Sequence, residues 1–234
     1  MTKVLVITGA SKGIGLATVD RFLAEGYRVV NVSRSSCPRD NVTHISADLA
    51  SGNWAAEIND ELATALQGCT TLSVIHNAAM LLKDSVQSVT AADLRRVNEL
   101  NVVAPIVLNQ LLHPWLSAGS SIIYVGSTLG SKAVAGACSY SVSKHALNGL
   151  MKATCQDFAG SGVHTAVVCP GFTDTEMLRQ HVGGAEEVLT DIASGVTMGR
   201  LIQPAEIAST LYFAATNPVI NGAELHANLG QVEH

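Results

Sequence analysis

The chain has 234 residues, 47% of them hydrophobic and 14% charged. That length and composition can bury a large core, exclude a disordered chain, and fit one α/β domain over residues 1–234. The formal net charge is -5, and no basic run interleaved with aromatics occurs, so nucleic acid is not expected as a partner. The apolar stretches fall short of the roughly 18 residues a membrane helix needs. Met1-Thr2-Lys3 carries no signal-peptide pattern, so the reading is cytoplasmic. The five cysteines (Cys37, Cys69, Cys138, Cys155 and Cys169) are scattered without a CxxC, which suits reduced, structural thiols. The eight histidines show no HExxH-like spacing, and no metal site is expected.

In chain order, short apolar runs alternate with amphipathic stretches. Val4–Thr8, Arg28–Val32, Val42–Ser46, Leu72–His76, Ser121–Val125, His164–Cys169 and Ala223–Ala227 read as strands. Helical patterns separate them. This alternation predicts a parallel sheet with right-handed crossovers, wrapped on both faces: a three-layer, Rossmann-like doubly wound fold. Ligands of such sheets bind at the carboxyl ends of the strands, so the functional residues should follow the strands.

After the first strand comes Thr8-Gly9-Ala10-Ser11-Lys12-Gly13-Ile14-Gly15, and then a helical pattern. The Gly-x3-Gly-x-Gly spacing differs from the usual Gly-x-Gly-x-x-Gly, but the physics is shared. Glycines let the backbone turn tightly and approach a pyrophosphate, and the helix start offers free N–H groups. Gly9, Ser11, Lys12, Gly13, Ile14 and Gly15 are therefore candidate cofactor contacts.

The second strand ends Val30-Asn31-Val32-Ser33-Arg34. An NAD enzyme usually places a carboxylate here for the ribose 2′-hydroxyl. Ser33 stands in its place, followed by Arg34, whose guanidinium suits a 2′-phosphate. Lys12 adds a second cation. NADP(H) is favoured over NAD(H). After the third strand, Asp48 in Ser46-Ala47-Asp48-Leu49 either accepts from an adenine amino group or caps the following helix.

Leu94, Val97, Asn101, Ala104, Leu108, Leu111 and Trp115 recur in steps of three and four, as a buried helix face does. Asn101 is its only polar member. Pro105 lies four residues on and clashes with the Asn101 carbonyl, which predicts a kink there and a carbonyl free to hold a water. Val103, Val107 and Leu112 add apolar area elsewhere on the helix and call for a second partner. Ser127 follows the fifth strand, where its hydroxyl either bonds a substrate oxygen or caps a turn. Tyr140 and Lys144 lie one helical turn apart on one face. An ammonium beside a phenol favours the phenolate and lowers the tyrosine pKa, which makes the pair a candidate general acid/base.

Thr8–Gly15, Asn77-Ala78-Ala79, Asn101, Ser127, Tyr140, Lys144 and Pro170-Gly171 resemble the ordered motifs of the short-chain dehydrogenase/reductases over nearly the whole chain. Ser127 precedes Tyr140 by 13 residues, as is typical there. The resemblance implies a catalytic set of Asn101, Ser127, Tyr140 and Lys144. Tyr140 would exchange a proton with a substrate oxygen as hydride moves to or from nicotinamide. Ser127 would orient that oxygen. Lys144 would lower the Tyr140 pKa and hold the ribose, and the Asn101 main chain would hold a relay water. The resemblance adds Asn77, Ala78, Ala79, Pro170, Gly171, Thr173 and Thr175 to the cofactor-binding set, which also takes in Asp48 and Leu49 after the third strand, Tyr140 and Lys144. His76 departs from the common Asn-Asn-Ala-Gly pattern and is expected to hydrogen-bond within the core.

The substrate pocket is expected from Met80–Leu82, Thr128–Ser139 and a loop over Phe172–Gly199. Leu129, Val134, Cys138, Met177, Leu178 and Met198 there imply a small, largely apolar carbonyl or alcohol. The chain is also similar in plan to the 3-oxoacyl-carrier-protein reductases. Ser120-Ser121 and Ser161-Gly162 lack the cations that an acidic carrier would need. A dinucleotide-sensing regulator would keep the glycine loop without the tetrad, and a purely structural subunit would bind no cofactor. By family likeness, this helix region and Tyr140–Phe158 pair copies of the chain into a homodimer or homotetramer.

Overall fold

A computed structural model describes residues 2–231. Met1 and residues 232–234 of the expected 1–234 domain lie outside the described residues. The sheet is built from β1 (Thr2–Thr8), β2 (Arg28–Ser33), β3 (Val42–Ser46), β4 (Cys69–His76), β5 (Ser121–Val125), β6 (His164–Pro170) and β7 (Ala223–Ala227). Its order is β3-β2-β1-β4-β5-β6-β7, with every pairing parallel. Val4, Leu5, Val6 and Ile7 have no exposed surface, because a parallel strand covered on both faces needs a continuous aliphatic run. All seven expected strands are present. β1, β2, β4 and β6 run one to three residues further than their apolar runs, through polar ends that still pair.

On one face lie α1 (Gly13–Ala24) and α8 (Pro204–Thr216), packed around Phe22, Ile207 and Leu211. On the other lie α2 (Trp54–Ala65), α4 (Ala104–Leu112) and α5 (Cys138–Asp157), around Leu62, Leu108 and Met151. The strand order runs outward from β1 in one direction and from β4 in the other. A crevice therefore opens where the carboxyl ends of these two neighbours diverge.

The expected kink at Asn101 is a π-helical turn, Glu99–Val103, between α3 (Ala91–Asn98) and α4. The wider turn accommodates Pro105, which cannot donate to a carbonyl behind it. It also shifts the buried face by about one residue. Leu112, expected on a second face, is wholly buried, whereas Leu111 and Trp115 are only partly so. Val107 packs against the core. Val103 and Ile106 are left exposed.

The expected loop over Phe172–Gly199 instead carries two helices, α6 (Glu176–His181) and α7 (Glu186–Ser194). The Thr175 hydroxyl caps α6 by accepting from the Leu178 amide at 3.3 Å. Arg179 ties the two helices by donating to Asp174 and Glu186.

Candidate active site

A cavity of about 470 Å³ opens at the carboxyl ends of the strands, at the crevice between β1 and β4. Its floor is the glycine loop, held from behind. Asn77 Nδ2 donates to the carbonyls of Thr8 and Gly9 at 3.0 and 2.8 Å. The Thr8 hydroxyl accepts from the amides of Asn77 and Ala78, both at 3.0 Å. Asn77 thus shapes the loop with its side chain, while Ala78 and Ala79 line the cavity. Gly9 has φ +71°, and a Cβ there would stand 3.0 Å from the Ala78 Cα. At the start of α1, Lys12 provides no side-chain cap. The first-turn N–H groups around Gly13 and Ile14 therefore lack the usual partner and border the cavity. An uncapped helix start behind a glycine turn fits a dinucleotide pyrophosphate.

The remaining expected cofactor residues divide by what their side chains already do. Ser11, Ser33, Arg34, Asp48, Leu49, Pro170, Gly171, Thr173 and Thr175 line the cavity. The Ser33 hydroxyl is turned inward, donating to the Ser35 carbonyl at 2.7 Å. Asp48 does not cap α2, which starts after Asn53; its carboxylate accepts from the Ala50 amide at 3.1 Å. Thr173 is buried and donates to the Gly171 carbonyl at 3.1 Å. Lys12 is paired with Glu176 at 2.8 Å, bridging the glycine loop to α6. Arg34 is exposed on the cavity rim.

Ser127, Tyr140 and Lys144 meet on the cavity wall. Ser127 opens a 3-10 turn after β5, and its hydroxyl accepts from the Leu129 amide at 3.1 Å. It thus caps a turn while also bonding Tyr140. Burial pushes the Tyr140 phenol up to about 12, and the Ser127 bond pulls the other way. This reverses the expected lowering by Lys144. The ammonium sits 5.4 Å from the ring centre and donates instead to the Val125 carbonyl at 2.7 Å. Burial lowers the Lys144 pKa from an ordinary 10.5 to about 8. Both groups therefore favour their neutral forms relative to water.

Asn101 is buried and fully used. Its Oδ1 accepts from the Met80 amide at 2.8 Å. Its Nδ2 donates to the Met80 carbonyl at 3.0 Å and to Ser143 Oγ at 2.9 Å. The side chain joins the loop after β4 to the helix that carries Tyr140. Two neighbours carried no sequence signal. Asp84, from the same loop, accepts from the amide (3.0 Å) and hydroxyl of Ser139 at the start of α5, where a carboxylate complements the helix dipole. Cys169 lies wholly buried beneath Ser127, and burial pushes its thiol pKa up. His76 fills the core role expected of it. Its Nε2 donates to Asn109 at 2.8 Å, its ring stacks on Tyr124, and burial lowers its pKa to about 4.

The Lys144 shift has a consequence for stability. The unfolded chain keeps this proton until about pH 10.5, and the folded chain loses it near 8. Between those values the unfolded state binds more protons, so raising the pH favours the fold. Tyr140 opposes this only above its ordinary 10.0. The wild-type urea midpoint should therefore rise relative to that of Lys144→Met from pH 8 to 10. Parallel curves would remove the buried-ammonium account.

Residues 3–184 match the short chain dehydrogenase family. FixR of Bradyrhizobium diazoefficiens is 31% identical over 98% of this chain and 86% of its own length. Carbonyl reductase family member 4 of Danio rerio is 28% identical over 95% of this chain and 94% of its own. A short chain dehydrogenase family protein from Francisella tularensis has the same fold, with a TM-score of 0.90 at 25% identity, covering 99% of both chains. The chain belongs to the short-chain dehydrogenase/reductase family, oxidoreductases that use a nicotinamide cofactor to move hydride between carbonyl and alcohol carbons.

Proposed function

We propose that this chain is an NADP(H)-dependent oxidoreductase of small, largely apolar carbonyl or alcohol compounds, with Tyr140 as the general acid/base. The observation that carries the chemistry is the meeting of Ser127, Tyr140 and Lys144 on one wall of the cavity. A bound reduced nicotinamide supplies hydride. The Tyr140 phenol, neutral across the ordinary pH range, donates its proton to the substrate oxygen as charge develops there. Ser127 shares a hydrogen bond with that phenol and orients the same oxygen. Lys144 serves the cofactor ribose, and its charge stabilises the oxygen left on Tyr140. Asn101 holds the loop at Met80 against α5 and so keeps the substrate wall in register with Tyr140. Its carbonyl is the atom we assign to a relay water.

The cofactor reading rests on Arg34. It reaches the rim beyond β2 with no carboxylate beside it, and among the described residues it has no ion pair or hydrogen-bond partner. Lys12 is the weaker support, because Glu176 already holds it. Arg34→Ala should weaken NADPH about tenfold or more, the scale of a lost charge-assisted phosphate contact, and leave NADH within about threefold. Titrating both cofactors at fixed salt tests this; equal losses would shift the assignment to NAD(H).

The substrate reading rests on Met80, Leu129, Val134, Phe172, Met177 and Leu178, apolar residues among those that line the cavity. Cys138 and Met198, expected there, are not among the lining residues; Met198 faces outward at 61% exposure. Missing cations at Ser120 and Ser121 say nothing about a carrier-bound substrate. Ser120 and Ser121 are wholly buried at the amino end of β5, away from this chain's cavity. The acidic net charge still disfavours an acidic carrier. Exposed Val103 on the π-helical turn, Ile106 on α4 and Val142 on α5 support a homodimer or homotetramer, which light scattering on the free chain reads. No helix among the described residues is long and apolar enough to cross a membrane. The five free cysteines suit the cytoplasm.

A further inference from the structure

Asn31 is the one amide in the middle of a buried β2 and has no exposed surface. A buried amide must place its donors and acceptor on partners. Its Oδ1 accepts from the Ala10 amide at 3.1 Å, inside the glycine loop. Its Nδ2 reaches Ser33 Oγ at 2.9 Å, His44 Nδ1, on neighbouring β3, at 3.2 Å, and the Ser35 carbonyl at 3.4 Å. Ser33 has one hydroxyl hydrogen, and its shortest contact is the Ser35 carbonyl at 2.7 Å. The hydrogens then run one way: Asn31 donates to Ser33, and Ser33 donates to Ser35. His44 accepts at Nδ1.

Two loops are thereby joined through one side chain. One is the glycine loop, which borders the pyrophosphate position. The other is the turn Ser33-Arg34-Ser35. Both neighbours of Arg34 are pinned, while Arg34 itself projects onto the cavity rim. A guanidinium reads a phosphate by direction as well as charge, so its value depends on how firmly its backbone is held.

We propose that Asn31 is a positioning residue for cofactor selectivity, fixing the Arg34 turn at a set distance from the phosphate loop so that a 2′-phosphate is met without reorganisation. This rests on the NADP(H) reading above. A residue that merely stabilises the sheet would affect both cofactors alike; a residue that aims Arg34 affects the ratio between them.

The test is the dissociation constant of NADPH and of NADH for the whole chain in five forms: wild type, Arg34→Ala, Ser33→Ala, Asn31→Val, and Asn31→Val with Arg34→Ala. Ser33→Ala removes the stronger link toward Arg34, leaving the 3.4 Å contact of Asn31 Nδ2 with the Ser35 carbonyl, and spares the Ala10 bond. It should weaken NADPH about tenfold and leave NADH within about threefold. Asn31→Val also frees the Ala10 amide, so both cofactors should weaken, with the NADPH-to-NADH preference falling about tenfold. Once Arg34 is gone, Asn31→Val should no longer change that preference. Ser33→Ala and Asn31→Val variants that keep the wild-type preference, while Arg34→Ala loses it, would overturn the proposal and leave the NADP(H) reading standing. An Arg34→Ala protein that keeps the preference would overturn both. If Asn31→Val fails to fold, Ser33→Ala decides alone.

Discussion

Tyr140→Phe should lose about 10²-fold or more in single-turnover oxidation of NADPH while binding NADPH almost as well as wild type. The substitution keeps the ring, and so its packing against Lys144, and removes only the hydroxyl that Ser127 bonds. What is lost is the proton donor at the substrate oxygen. Ser127→Ala should share this signature, with a smaller loss, because Tyr140 then keeps its proton but loses its alignment. Lys144→Ala should differ in kind. It removes the group assigned to the ribose and leaves the Val125 carbonyl without its donor at 2.7 Å, so binding and turnover fall together. Asn101→Ala spares the backbone carbonyl but frees Met80 and Ser143; its effect should appear first in substrate KM. Binding and single-turnover rates measured side by side separate these patterns. A Tyr140→Phe chain at wild-type rate would remove Tyr140 as the proton donor.

Gly15→Ala should be among the most damaging one-methyl changes at the described residues. A Cβ at Gly15 would lie 2.2 Å from the Gly9 carbonyl oxygen and 2.6 Å from Asn77 Nδ2. Neither can yield cheaply: the first is backbone, and the second is held by bonds to Thr8 and Gly9. Relief means opening the glycine loop. Overpacking costs about 1–3 kcal/mol, and each disrupted hydrogen bond adds about 1 kcal/mol. A loss of roughly 3 kcal/mol or more in urea unfolding is expected, with cofactor binding undetectable even where the chain stays folded. Gly52→Ala is the control. A Cβ there meets nothing within 4 Å, so stability should stay within about 0.5 kcal/mol. Equal stabilities for the two variants would mean that the loop is not braced as described.

Much of this site is legible in the amino-acid chain because its physics is local. Buried parallel strands read as unbroken aliphatic runs, and the residues placed after them (Gly9, Asn77, Ser127, Gly171) line the cavity. Pro105 announced a distortion at Asn101, though not that it would be a π turn or that the turn would hand the buried face from Leu111 to Leu112. Other features depend on what folding brings together. The direction of the Tyr140 shift turns on burial and on where Lys144 aims its ammonium, and a spacing of four residues carries neither. Asp84 is 55 residues from the Ser139 it bonds. Asn31 did leave a signal, a polar residue inside Val29-Val30-Asn31-Val32, and a buried strand position of that kind demands partners. Which partners they are, only the neighbouring loops reveal. The segment expected as a loop after Phe172 is helical instead; Thr175 before Glu176 is a capping signal for α6, whereas α7 starts without a side-chain cap.

The most direct measurement follows the reduced cofactor when the wild-type chain meets NADPH and a panel of aldehydes, ketones and 1,2-diketones, with the alcohol product quantified. At least one uncharged, largely apolar carbonyl should be reduced, with one alcohol formed per NADPH consumed, and NADH should be the poorer donor. A chain that binds NADPH and oxidises none of it across the panel would contradict the central claim.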